Sequence, residues 1–349
     1  MEQLTRDNYY TPDADWAYMS CSQFQSWNEC EARELAILEG RWTPKETEAL
    51  IVGNYFHSCF ESPVAHEQFI FDHEDVIFKK QTKAQAAAHI APEKYAPYVK
   101  ADEMIAVAES DPLIKSLIDM PGETEKIVTG TLFGVPWRAR YDKYVAAGRL
   151  IIDWKTVADI SELKWSDKYH EKVTFIDQRD YMMRAAVYSE LEKQLAGSKE
   201  DPAFVIVAIS KQDPPDKDAL MLNHRTRYDW ELEQIKDRLP YIQRIKDGSV
   251  KPRRCGCCDY CRATKQLMEI RPYYQLMPEY RTFGEDGFKG TMGDGGASGS
   301  PRPTENGGDE GGTGQMLGDA QTPGDVDALP AVRSADNVGE ALGRVIQPV

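Results

Sequence analysis

Along most of the chain the apolar residues fall into runs whose spacing alternates between helix and strand. Ser20–Leu38 carries Phe24, Trp27, Cys30 and Leu35 at the spacing of one helix face, with Ser20 or Ser22 placed to cap it. Glu46–Ser62 is apolar nearly all round, which predicts a buried helix with Gly53 and His57 on one side. Lys83–Ile118 reads as a more polar helical stretch broken at Pro92, Pro97 and Pro112. Glu125–Leu132, Val135–Val145 and Arg149–Lys155 then predict a three-strand meander, with a tight turn at Ala146-Ala147-Gly148. A helix over Asp177–Leu195, an apolar strand over Ala203–Ser210 and a long helix over Tyr228–Asp247 complete the order. Helix, antiparallel strands, helix, strand predicts a mixed α/β core and not a doubly wound one.

Composition divides this chain of 349 residues in two. From Arg281 onward lie 16 of its 25 glycines, two aromatics, and 11 acidic against 5 basic residues. Such a segment buries too little apolar surface to offset the entropy of ordering it. The expected organisation is a folded domain over 1–280 and a disordered acidic tail over 281–349. Ser334–Ile346 within the tail carries Val338, Leu342, Val345 and Ile346 at amphipathic spacing. The net charge of −15 excludes a strongly basic footprint at whole-chain level, so any nucleic-acid contact would have to be local. The opening MEQLTRDNYYTPDADW has no apolar signal region, and no window approaches a membrane span. A soluble, cytoplasmic protein without membrane association is expected.

Candidate chemistry concentrates at the end of the third predicted strand. Asp153 and Lys155 are two residues apart and share one face of an extended chain. Folding the hairpin back brings Asp142 within about a residue of Asp153. Two carboxylates and an ammonium suit a hard cation such as Mg²⁺, with the lysine orienting the attacking water. Taken alone, Asp-x-Lys also describes a strand end closed by solvated charge.

Four of the seven cysteines crowd into RCGCCDYCRATK. Cys255, Cys258 and Cys261 have the C-x2-C-x2-C spacing of iron–sulfur ligand runs, with Cys257 as the spare. The fourth ligand then comes from Cys21, Cys30 or Cys59, and Zn²⁺ is the alternative metal. Lys251, Arg253, Arg254, Arg262 and Lys265 around the run make the best local basic patch. It reads either as a contact for DNA phosphates or as a solvated face.

Asp142, Asp153-Trp154-Lys155 and the helix reading YMMRAAVY, taken in order, resemble the PD-(D/E)XK nuclease superfamily. More narrowly they resemble its RecB and RecE-like phage exonuclease branch. Gly53-Asn-Tyr-Phe-His57, Ser20-Cys21-Ser22 with Cys30, and the cysteine run match further motifs of that branch over residues 18–275. The resemblance implies a restriction-endonuclease-like core, a central mixed sheet flanked by helices. An N-terminal helical portion and a cysteine-rich staple complete it.

By the same resemblance, Asp142, Asp153, His57 and the Trp154 carbonyl would hold Mg²⁺ or Mn²⁺, and Lys155 would position the water. Tyr181 and Tyr188 would lie near the DNA backbone or the lysine. Cys30, Cys255, Cys258 and Cys261 would hold a [4Fe–4S] cluster of structural role. The implied activity is exonucleolytic hydrolysis of double-stranded DNA ends in phage recombination, in the host cytoplasm. The implied partners are a single-strand annealing protein and further copies of the chain in a homo-oligomeric ring. Three residues after the first tyrosine that branch has glutamine, and this chain has Arg184, which suits a phosphate contact. The rival reading is a nuclease-fold DNA-binding or scaffold module without activity.

Overall fold

A computed structural model of the protein describes residues 3–270 and Tyr273, and those up to Thr264 belong to one compact unit. The boundary at residue 280, the acidic tail and the Ser334–Ile346 stretch lie outside the described residues.

The first third of the chain is helical. α1 (Pro12–Ala17), α2 (Cys21–Glu29) and α3 (Glu31–Leu38) lead to α4 (Glu48–Glu61), α5 (Pro63–Asp72) and α6 (Glu74–Ile77). α7 (Lys83–Ala87), α8 (Ala96–Ser110) and α9 (Pro112–Asp119) follow. The single helix expected over Ser20–Leu38 is two. Cys30, extended at φ −160° and ψ 102°, ends α2 and begins α3, which turns its sulfur out of the helical row. Ser20 and Thr47 cap α2 and α4 by accepting from Gln23 N and Leu50 N. Pro97 and Pro112 stand in the first turns of α8 and α9, where no N–H is needed, so they start helices that the sequence reading has them break.

The sheet comes next: β1 (Glu123–Leu132), β2 (Val135–Val145) and β3 (Leu150–Val157). A small hairpin of β4 (Lys164–Ser166) and β5 (Glu171–Val173) precedes α10 (Phe175–Gln178) and α11 (Tyr181–Ala196). β6 (Ala203–Ser210), β7 (Lys217–Met221), α12 (Arg225–Lys246) and α13 (Asp259–Ala263) complete the unit. The strand order is β1-β2-β3-β6-β7, with β3 and β6 parallel and the other neighbours antiparallel. The mixed α/β core read from the pattern is therefore present. Asp180, with φ 52°, interrupts the helix expected over Asp177–Leu195.

Helices cover both faces of the sheet. On one, Phe24, Trp27, Trp137, Ile151, Phe204, Ile206, Leu191 and Ile235 pack together. On the other, Tyr55, Phe56, Met104, Leu117, Ile152, Trp154, Val205 and Val207 do. β6 feeds both cores alternately, which is why AFVIVAIS is an unbroken apolar run.

Candidate active site

β1 and β2 pair along their length except at one position, Glu125 opposite Asp142, where Glu125 takes φ 54°. On its other side β2 pairs with β3 only from Val145↔Leu150 to Lys143↔Ile152, whereas β3 follows β6 to its end. Asp142 thus sits where the ladders on both sides let go. Its Oδ2 accepts instead from the Trp154 main-chain N–H at 2.8 Å. From Asp142 back to Val135, β2 has no β3 partner, and a crevice opens where the two strands part.

Four elements aim side chains into that crevice. α4 brings His57 Nδ1 to 3.3 Å from Asp142 Oδ2. β3 brings Lys155 Nζ to 3.6 Å from the same oxygen and directly against Asp153 Oδ2. Lys155 Nζ also donates to the Trp154 carbonyl at 2.8 Å. α11 brings Arg184 Nη1 to 3.6 Å from Asp153 Oδ1, and the Tyr181 ring lies 5.7 Å from Lys155 Nζ. Asp142, Asp153, Lys155, His57, Trp154 and Tyr181, each expected from the sequence, therefore meet at one place.

The electrostatics follow from burial and pairing. Burial works against the Asp142 anion, but Lys155, His57 and the Trp154 N–H outweigh it and hold the carboxyl below its usual range. Burial also opposes the Lys155 charge, and Asp153 and Asp142 outweigh it, so the ammonium stays protonated. Burial lowers His57 below its ordinary value, with Asp142 opposing. Asp153 is 1% exposed, and neither of its oxygens receives a hydrogen bond of good geometry. Its two oxygens face Arg184 and Lys155 as ion pairs. Two carboxylates, an imidazole and a free carbonyl lone pair form a donor set that fits a divalent cation.

Tyr188 stands beside Arg184, deeper than Tyr181. Its ring packs on Tyr141 at 5.0 Å and its hydroxyl donates to the Arg140 carbonyl at 3.3 Å, so it braces β2 from the core. Glu125 was not singled out in the sequence: it is buried, lies 2.6 Å from Arg140 Nε, and burial pushes its carboxyl up to about 7. As one polar residue in ETEKIV it carries no signal of its own. Beyond Lys155, a cleft of ≈ 430 Å³ runs between Thr156, Tyr181, Gln178, Arg179, Lys164 and Lys211.

The cysteines meet at the far end of α2. The Sγ atoms of Cys30, Cys255, Cys258 and Cys261 all lie within 4.8 Å of one another, with Cys30 and Cys261 3.6 Å apart. Main-chain N–H groups of Cys258 and Cys261 point at Cys255 Sγ and Cys258 Sγ, at 3.3 and 3.4 Å. Burial opposes ionisation of Cys255, but the N–H groups of Cys257 and Cys258 outweigh it and bring the thiol down to about 6. Cys257 is exposed and outside the group. Of the basic patch, Arg254 and Arg262 fold back onto carbonyls of the loop, those of Cys261 and Cys257. Lys251 and Arg253 are exposed beside them.

Residues 20–264 match the family model described as a PDDEXK-like domain of unknown function, DUF3799. The chain belongs to this PDDEXK-like family. It is a nuclease of the PD-(D/E)XK type, and its four cysteines are grouped closely enough to hold a metal ion. A crystal structure of a candidate exonuclease from Eubacterium rectale is similar at 31% identity and a TM-score of 0.69, over 80% of this chain and 99% of that one. The structure of SSO0001 aligns at 13% identity and a TM-score of 0.24, over 65% of this chain and 90% of that one. No curated protein matches.

Proposed function

We propose that this PDDEXK-like nuclease is a metal-dependent exodeoxyribonuclease acting on the ends of double-stranded DNA. The observation that carries the reading is the meeting of Asp142, Asp153, Lys155 and His57 where β2 and β3 part. Asp142, Asp153, His57 and the Trp154 carbonyl would hold Mg²⁺ or Mn²⁺. Such an ion supplies a more acidic bound water and stabilises charge on the phosphate. Lys155 Nζ, set against both carboxylates, would orient the water. The reaction joins the water oxygen to phosphorus and breaks a phosphorus–oxygen bond to the sugar. One proton leaves the water and one ends on the departing oxygen. Arg179 and Lys211 in the adjoining cleft offer contacts for DNA phosphates, beside Lys164 paired to Glu162 and the carboxylate of Asp159.

Exonucleolytic use is supported by the resemblance to the RecB and RecE-like branch and by the similar protein from Eubacterium rectale. The same resemblance supports a role in phage recombination beside a single-strand annealing protein and within a homo-oligomer, with the acidic tail as docking segment. Degradation of linear duplex with covalently closed circles left intact is the expected result in Mg²⁺ or Mn²⁺. Equal attack on closed circles would overturn the preference for ends.

For the four-cysteine site two metals are in play. The resemblance supports a [4Fe–4S] cluster. The sulfur spacing supports one tetrahedral ion such as Zn²⁺, because four thiolates at about 2.3 Å from one centre stand about 3.8 Å apart. Thiolates on four separate irons would spread farther. We read the site by its spacing, as Zn²⁺ in a structural role.

A further inference from the structure

We infer that Arg184 occupies the place of a second catalytic cation, so that this chain cleaves DNA with one divalent ion; the inference rests on the nuclease reading above. Arg184 stands one turn after Tyr181 on α11, with its guanidinium 5.6 Å from the Tyr181 ring and its Nη1 3.6 Å from Asp153 Oδ1. Its Nε is buried and has no hydrogen-bond partner, so the fork is held by charge and keeps donors to spare. It is thus turned inward to the reacting centre, away from any outer DNA-binding face.

Charge counting limits what else the crevice accepts. At formal charges, Asp142 and Asp153 are already balanced by Lys155 and Arg184. Asp153 Oδ1 faces Arg184 and Oδ2 faces Lys155, while Asp142 Oδ2 faces His57, Lys155 and the Trp154 N–H. Glu125, opposite Asp142 across β1, is taken up by Arg140. One divalent ion with a singly charged phosphodiester leaves an excess of one positive charge. A second ion would raise that excess to three, and both oxygens of Asp153 already face cations. The planar fork does what such an ion would do. It neutralises Asp153 and offers two parallel N–H donors to phosphoryl oxygens as their charge develops.

The test counts Mn²⁺ bound to the full chain by calorimetry, in the presence of a duplex with cleavage-resistant phosphorothioate ends. The Asp142→Ala variant subtracts ions bound elsewhere, and single-turnover cleavage of ordinary duplex is measured beside it. One Mn²⁺ per wild-type site is expected. Arg184→Gln should bind a second ion, or the first at least about tenfold more tightly. Its single-turnover rate at saturating Mn²⁺ should fall about 100-fold. Arg184→Lys, which keeps the charge without the fork, should keep one ion and lose rate. Two Mn²⁺ on a cleaving wild type would overturn the inference alone, as would Arg184→Gln with unaltered Mn²⁺ binding. No Mn²⁺ and no cleavage in the wild type would overturn the nuclease reading itself.

Discussion

His57 Nδ1 on α4 stands 3.3 Å from Asp142 Oδ2 on β2, joining the helical layer to a β2 position unpaired on both sides. Burial lowers the imidazole below its ordinary 6.5. The neutral ring's contribution to stability is therefore full above 6.5 and is lost as the pH falls through the lowered value. Mn²⁺ binding should hold to pH values below the ordinary histidine range and then decline. His57→Ala should weaken it at least about tenfold. Binding by calorimetry across pH checks both.

Asp153 is the counter-ion of two buried cations. Asp153→Ala leaves Lys155 and Arg184 without it, and should lower stability by about 3–5 kcal/mol as well as abolish activity. The double change Asp153→Ala with Lys155→Met removes one of those cations and should recover part of the stability and none of the activity. Urea denaturation separates the two effects.

Cys30 ties the α2–α3 junction to a loop far along the chain, and α2 at its other end begins with Cys21, whose thiol is buried near Arg184 and Asp153. Nine helical residues separate the two sites by about 13 Å. Cys30→Ser should lose the bound metal, lower the melting temperature and weaken activity indirectly, whereas Cys257→Ser should leave metal content unchanged. Elemental analysis is expected to find one zinc per chain, and four irons with brown colour would contradict the single-ion reading.

Glu125 combines an αL backbone with a carboxyl pushed up to about 7 by burial. Its protonated form is favoured in the folded state, so its contribution is full below the ordinary 4.5 and is lost as the pH rises through about 7. Glu125→Gln should therefore gain about 1–3 kcal/mol on the wild type between pH 4.5 and 8. A pH-independent difference would contradict this.

Much of this was legible in the chain because it depends on local spacing. The two-residue step from Asp153 to Lys155 fixes their shared face, and folding the hairpin back brings Asp142 to them. The partnership of Cys30 was not in the spacing and came only with the family resemblance. What local pattern does not carry is direction. The helix break at Cys30, the αL turn at Glu125 and the inward aim of Arg184 are all set by tertiary contacts. Tyr181 and Tyr188 share one helical face, yet only Tyr181 is at the end that reaches Lys155. β4 and β5 are short and largely exposed, with too few apolar residues to announce themselves, and β7 is only five residues long.

The most direct measurement is release of nucleotides from a linear duplex, with Mg²⁺ and with chelator, by wild type and by Asp153→Asn and Lys155→Met. The account predicts metal-dependent release from the ends by wild type and none by either variant. Release that survives chelator or both substitutions, or a metal-loaded wild type that leaves all DNA intact in Mg²⁺ and Mn²⁺, would contradict it.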